Sequence, residues 1–236
     1  MLSMFENTRE QVTVHLFTDS TLTLENRNKL VQLCDQYKQK IKFYDAANLA
    51  KDWWDKYKQL KTWKTFRPGI GSAYRLGAPM FLPDDIHKLI FIDSDIVVDV
   101  DVKELWDFDI KGNPIAGVSL SDMGTDSAKN DRIFMTGAIS SFKEYMNSGT
   151  LILDLDLLRR EGRESMISNC LEILREHIYI DDLLDERALS ILYLNRYFHL
   201  PRKYNCMVGL YRGNTKNFKR GIMWHFAGST MLSLNA

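Results

Sequence analysis

The sequence predicts a single α/β domain over residues 1–236, built on a mixed, largely parallel sheet flanked by helices. Three observations carry that prediction. A strand, a helical face and a second strand follow one another between Gln11 and Tyr44, the order that makes parallel neighbours. Four apolar residues, Leu89 to Ile92, run without alternation, as a strand buried on both faces does. At 45% hydrophobic content the chain holds ample material for a packed core, which excludes disorder as its main state.

The elements follow in order. QVTVHLF (Gln11 to Phe17) is rich in β-formers, and TDS after it supplies a turn and a helix cap. Leu22, Leu24, Leu30, Val31 and Leu33 recur on one helical face through about Lys40, and IKFY follows as a second strand. From Asn48 to Arg67 the composition turns to Lys, Trp and Tyr. RPGIGS then turns the chain into a helix carrying SAYRLGAPMFL, closed by Pro83, Asp84 and Asp85. HKLIFID reads as a buried central strand, PIAGVS (Pro114 to Ser119) as another, Ser121 to Ser141 as a long polar loop, and GTLILDL as a further strand. Helical patterns cover about Arg163 to Ile178 and Leu184 to Tyr193, before a last strand in GIMWHF. No repeat, low-complexity tract or linker divides the chain.

Composition narrows the function classes. Lys+Arg and Asp+Glu balance at 31 each, so the global positive field of a nonspecific nucleic-acid binder is missing. Cys34, Cys170 and Cys206 are odd in number and widely spaced, which gives neither a disulfide framework nor a zinc knuckle. No apolar run reaches the length of a membrane helix, the start MLSMFENTRE has no basic segment leading into an apolar one, and no Asn-x-Ser/Thr acceptor occurs. Together these place the expected location in the cytoplasm.

Asp93 and Asp95 stand two apart at the end of the apolar run, so their side chains share a face at the carboxyl edge of the sheet, where open α/β sheets bind ligands. Two carboxylates this close repel, and a divalent cation removes that penalty while offering open positions to phosphate oxygens. The competing reading is an acidic turn that caps the strand. The flanking Ile96, Val97 and Val98, and then Asp101 to Trp106, weigh toward the cation.

LIFIDSDIVVDVDVKELWDFD resembles the metal-binding segment of glycosyltransferase family 8, the retaining GT-A transferases that use nucleotide sugars. SAYRLGAPMFLP resembles the family's helix before that motif, YMNSGTLILDLDLLRR the Asn-[Ala/Ser]-Gly strand after it, and WHFAG its terminal His-[Tyr/Phe]-x-Gly. Four ordered blocks over about residues 11–228 are far more specific than any one. The resemblance implies a GT-A (Rossmann-like) fold and transfer of glucose or galactose from a UDP-sugar to a glycan or other hydroxyl acceptor, in polysaccharide assembly. It implies that Asp93, Asp95 and His225 hold the cation, with Mn²⁺ suited to mixed oxygen and nitrogen donors and Mg²⁺ as the alternative. It also implies donor contacts from Arg75, Ser94, Asn147, Ser148 and Gly149, and from amides beside Gly228. Each has a plainer reading: a packed histidine, a surface arginine with a solvated head, an ordinary turn at Asn147.

LLDERALS stands where the family reads Asp-Gln-Asp: Asp185 matches, Glu186 replaces Gln and Arg187 replaces the second Asp. By resemblance this position lies near the β face of the reacting sugar carbon. A carboxylate there stabilises positive charge or acts as the nucleophile of a double displacement. The plainer reading is a helix start carrying acids for dipole reasons, with Arg187 facing solvent. Two departures stand out. The family's first strand and base-binding segment have no counterpart before MLSMFENT, which resembles only the helix end that follows them, so the domain is expected to be truncated at its N-terminus. Ser229, Thr230 and Met231 also replace the usual Lys-Pro-Trp. Two other functions compete. One is a haloacid-dehalogenase-like phosphatase, with Asp93 as nucleophile, Asp95 as general acid and Asp181 with Asp182 as the later acids. The other is an inactive transferase-like binding domain.

Overall fold

A computed structural model describes residues 1–60, 70–121, 139, 144–176, 184–208 and 220–227. Its strands are β1 (Thr13–Thr18), β2 (Lys40–Asp45), β3 (Lys88–Ile92), β4 (Ile96–Val98), β5 (Ile115–Ser119), β6 (Met146–Asp154), β7 (Tyr197–His199), β8 (Cys206–Met207) and β9 (Met223–His225). The α-helices of six residues or more are α1 (Leu2–Asn7), α2 (Leu24–Gln36), α3 (Lys51–Lys58), α4 (Leu155–Arg160), α5 (Ser165–Glu176) and α6 (Leu184–Leu192). Among the described residues no helix is long and apolar enough to cross a membrane. The chain divides into two compact units, one of Met1–Arg9, Leu89–Leu153 and Tyr193–Ala236, the other of Glu10–Lys88 and Asp154–Leu192.

In the second of these units β1 and β2 pair in parallel, with Val14 opposite Ile41 and Leu16 opposite Phe43, as the β-α-β order predicts. The Thr23 side chain caps α2 by accepting from the Asn26 amide. The helix stops at Gln36, short of the expected Lys40, because Lys38 takes φ 55° and the chain turns back: its amide reaches the Asp35 carbonyl and the Gln39 amide the Cys34 carbonyl. In the described part of the Trp- and Tyr-rich segment two aromatic side chains belong to the core. Trp54 and Tyr57 are buried on α3, the Trp54 ring lies 5.3 Å from Tyr74, and the Tyr57 hydroxyl donates to the Ile167 carbonyl at 2.8 Å. The helix expected in SAYRLGAPMFL is instead a 3₁₀ stretch, Ile70–Gly77, followed by one α-turn, Ala78–Phe81. Pro79 explains the break, since its ring collides with the preceding turn and is tolerated only where a helix begins. The turn after it is gripped by Arg159, whose guanidinium donates to the carbonyls of Leu82, Pro83 and Ile86 at 2.8–3.0 Å.

The first unit holds two sheets, β3-β6-β5-β7 and β4-β9-β8. β5 runs antiparallel to β6 and parallel to β7, β9 antiparallel to β4 and parallel to β8, so the architecture is the expected mixed α/β. β5 is buried throughout and β6 up to its last residue, which makes them the core of this unit. β3 corrects the sequence reading. All five of its residues keep partial exposure, because among the described residues it pairs with β6 alone and is an edge strand. The apolar run reported depth in the sheet wrongly, since an edge strand facing apolar neighbours needs the same composition. β1 likewise pairs only with β2 among the described residues and is partly exposed along its length. The outer edge of β4 is covered by α1, where Ser3 Oγ accepts from the Val98 amide and Asn7 Nδ2 donates to the Val98 carbonyl, both at 3.0 Å.

Candidate functional site

The chain leaves β3 at Ile92, and Asp93, Ser94 and Asp95 form the tight turn into β4, closed by the Ile96 amide on the Asp93 carbonyl at 3.2 Å. Two backbone bonds fix the turn from either side. The Asp93 amide donates to the Gly149 carbonyl of β6 at 2.8 Å, and the Phe226 amide after β9 donates to the Asp95 carbonyl at 3.0 Å. Because β4 and β9 pair with Ile96 opposite His225, the histidine is delivered to the turn by sheet register. Its Nε2 stands 3.4 Å from Asp95 Oδ1. One donor atom from each of Asp93, Asp95 and His225 lies within 4.8 Å of the others. The two carboxylates are partly exposed and the imidazole is buried.

These three residues fit a hard or borderline divalent ion. For metal–ligand bonds of about 2.1 Å, cis donors of an octahedron stand about 3 Å apart and trans donors about 4.2 Å, and the 3.4 Å between His225 Nε2 and Asp95 Oδ1 falls between the two. Two oxygens and one imidazole nitrogen suit Mn²⁺ or Mg²⁺ more than a thiolate-seeking metal.

Behind the imidazole lies a buried amide network. His225 Nδ1 is 2.9 Å from Asn205 Oδ1, Asn205 Nδ2 is 2.6 Å from Asn147 Oδ1, and the Gly149 amide donates to that same Asn147 oxygen at 3.0 Å. Asn147 and Gly149 do not form an ordinary turn; they lie within β6, where the register against β5 jumps so that Val118 faces Asn147 directly after Gly117 faces Leu151. Gly149 has a steric reason. A Cβ there would sit 2.4 Å from His225 Cε1 and 2.7 Å from its Nδ1, closer than real atoms approach. Gly149→Ala is therefore expected to displace the ring and weaken Mn²⁺ binding at least about tenfold. A Mn²⁺ titration followed by electron paramagnetic resonance measures this; an unchanged affinity would show that the ring is not held where the glycine leaves room.

The remaining candidates divide. Ser94 is exposed at the tip of the turn and Ser148 is buried in β6. Gly228, Ser229, Thr230, Met231, Asp181, Asp182 and most of the Ser121–Ser141 loop lie outside the described residues. In the other unit the structure brings Arg75 and Asp185 together as an ion pair, Nε to Oδ2 2.9 Å, with both side chains 5% exposed. Arg75 Nε is also 2.9 Å from the Ser72 carbonyl, so the solvated-head reading does not hold. Asp185 and Glu186 occupy the first turn of α6 as expected, but Arg187 is buried rather than solvent-facing. Asp185 also acts on its surroundings: burial first, and then this carboxylate, push the Cys170 thiol well above the usual thiol range. Beside Arg75, burial and then the Asp19 carboxylate push the Tyr74 phenol up to about 12, its hydroxyl donating to Asp19 at 3.4 Å.

The residue of this network that sequence reasoning missed is Asn205. It is fully buried, and its one legible signal was a carboxamide standing alone between Tyr204 and the apolar CMV.

The chain matches Glycosyl transferase family 8 over residues 1–230. It is 28% identical over 137 residues to General stress protein A of Bacillus subtilis (strain 168), which covers 57% of this chain and 44% of that protein. To the lipopolysaccharide 1,3-galactosyltransferase of Salmonella typhimurium it is 21% identical over 212 residues, 88% of this chain and 58% of the relative. It thus spans less than two thirds of the length of either. Among solved structures it superposes on the galactosyltransferase LgtC, in complex with donor and acceptor sugar analogues, with a TM-score of 0.71 at 17% identity, over 96% of this chain and 81% of that one. That likeness is one of fold.

Proposed function

The chain belongs to glycosyl transferase family 8 and shares the mixed α/β GT-A fold of LgtC, and from that premise we propose a retaining, metal-dependent hexosyltransferase. It moves glucose or galactose from a UDP-sugar to a hydroxyl on a glycan or other acceptor. The observation that carries this reading is the convergence of Asp93, Asp95 and His225 within 4.8 Å, residues that the fold gathers from two ends of the sequence. The galactosyl activity named for the lipopolysaccharide relative supports a hexose and a role in polysaccharide assembly. Three buried free cysteines support a reducing, cytoplasmic setting.

Asp93, Asp95 and His225 hold the cation, Mn²⁺ before Mg²⁺. When bound, it supplies Lewis-acid stabilisation of the negative charge that builds on the departing diphosphate. Ser94, at the exposed tip of the turn, offers a hydroxyl and an amide to the donor, and Asn147, Ser148 and Gly149 form the strand assigned to its sugar; Gly228 is assigned to the diphosphate. Arg75 fixes Asp185, and through it the first turn of α6, so that Glu186 is presented from a rigid helix start. Glu186 is the candidate nucleophile. Its carboxylate forms a bond to the anomeric carbon as the bond to UDP breaks with its electron pair; the acceptor hydroxyl, passing its proton to the released diphosphate, then displaces the carboxylate, which takes back its electron pair, and two inversions retain configuration. A glutamine, the family's usual residue here, cannot do this efficiently.

Glu186→Gln and Glu186→Ala are each expected to lose at least about a hundredfold in turnover. Azide added to Glu186→Ala should yield a glycosyl azide of inverted configuration. Undiminished turnover in both variants would remove Glu186 from the mechanism. The proposed function as a whole is tested by a nucleotide-sugar hydrolysis panel with and without Mn²⁺, run beside p-nitrophenyl phosphate. Metal-dependent release of UDP from one hexose donor is expected; phosphate release without sugar turnover would favour the phosphatase instead.

A further inference from the structure

We infer that Asn205 is a positioning residue that fixes the tautomer of His225, keeping the proton on Nδ1 and leaving the Nε2 lone pair for the cation. The argument starts from an atom whose role is beyond choice. A backbone amide only donates, so the Asn147 atom that meets the Gly149 N–H at 3.0 Å is its carbonyl oxygen, Oδ1. That oxygen only accepts, so the Asn205 atom 2.6 Å from it is the donor Nδ2. The other end of the Asn205 amide, 2.9 Å from His225 Nδ1, is therefore Oδ1, which again only accepts. The partner nitrogen must carry the proton.

A neutral imidazole bears one ring proton, so Nε2 is left with its lone pair. The orientation of both amides, ordinarily a matter of choosing between two ends, is forced from the Gly149 backbone outward. Asn147, Asn205 and His225 are at most 5% exposed, so bulk water does not compete for these bonds. Reversing Asn205 would set two oxygens 2.6 Å apart.

The consequence is local and chemical. With the proton on Nδ1, Nε2 and Asp95 Oδ1 are two electron-rich atoms 3.4 Å apart, an arrangement that calls for positive charge between them. Asn205 thus excludes the tautomer in which Nε2–H would donate to Asp95 and close the site to metal. The inference rests on the proposed cation site and deepens it.

Histidine-selective ¹⁵N–¹³C spectra of the metal-free protein, taken where the ring is neutral and assigned by the His225→Gln spectrum, read the tautomer directly. The Nδ1–H form is expected. The Nε2–H form, a mixture of the two, or a ring that stays doubly protonated overturns the inference. Asn205→Leu should lose the tautomer preference and bind Mn²⁺ about 10- to 100-fold more weakly. A folded Asn205→Leu with the tautomer and Mn²⁺ affinity both intact also overturns it. Should that variant fail to fold, the wild-type spectrum decides alone. Wild-type protein that shows Nδ1–H but takes up no Mn²⁺ leaves the Asn205 assignment standing and fails the cation reading instead.

Discussion

Asp95→Ala is expected to leave a folded protein whose metal-dependent turnover of the donor falls by about 10³-fold or more. The magnitude follows from losing one of the ligands proposed for the Lewis acid, worth about 4 kcal/mol of transition-state stabilisation. Folding should survive because Asp95 is 29% exposed, and its loss relieves the repulsion with Asp93. The measurement pairs the kinetic assay with a thermal shift. Ligand at about a hundred times its Kd stabilises the native state by about 2.7 kcal/mol, so saturating Mn²⁺ should raise the wild-type midpoint by about 5–11 °C. Asp95→Ala should show no such rise. Most of the activity retained, together with an intact Mn²⁺ shift, would break the metal assignment at its centre.

Asp185→Leu is expected to destabilise the protein by about 3–5 kcal/mol, because it removes the carboxylate facing a guanidinium that is itself buried. In a chain of this size that lowers the melting midpoint by about 6–20 °C. The double variant Arg75→Met/Asp185→Leu should recover most of the loss, since two apolar side chains of similar volume leave no buried charge behind. A single variant within about 1 kcal/mol of wild type would mean that water or another group reaches Arg75 and that the pair does not brace α6. The contrast between the two experiments is informative. One removes a group from an open rim, where chemistry suffers and stability does not, and the other removes a group from the interior, where the fold suffers first.

The β1-α2-β2 order, the turn at Asp93–Asp95 and the closing strand at Met223–His225 were all legible in the sequence. Each is written locally, as a two- or 3.6-residue periodicity bounded by turn formers, and the four family blocks kept their order. That Asp93, Asp95 and His225 come together was legible too, by resemblance, although His225 stands at the far end of the chain. What went astray was degree rather than kind. The apolar run of β3 announced a strand but overstated its burial, and the predicted helix in SAYRLGAPMFL broke at Pro79.

Asn205 and the Arg75–Asp185 pair show what sequence could not supply. Asn205 reaches His225 across 20 residues and Asn147 across 58, and no periodicity spans such gaps. Arg187 read as a solvent-facing charge and lies buried instead. The sequence by itself determined which strands and helices form and where two acids and an imidazole can meet, because propensity, pattern and turn chemistry act between near neighbours. Only the tertiary structure decided which polar groups are cut off from water and what each must then bond to. A buried donor or acceptor has to find its partner in space, wherever along the chain that partner lies.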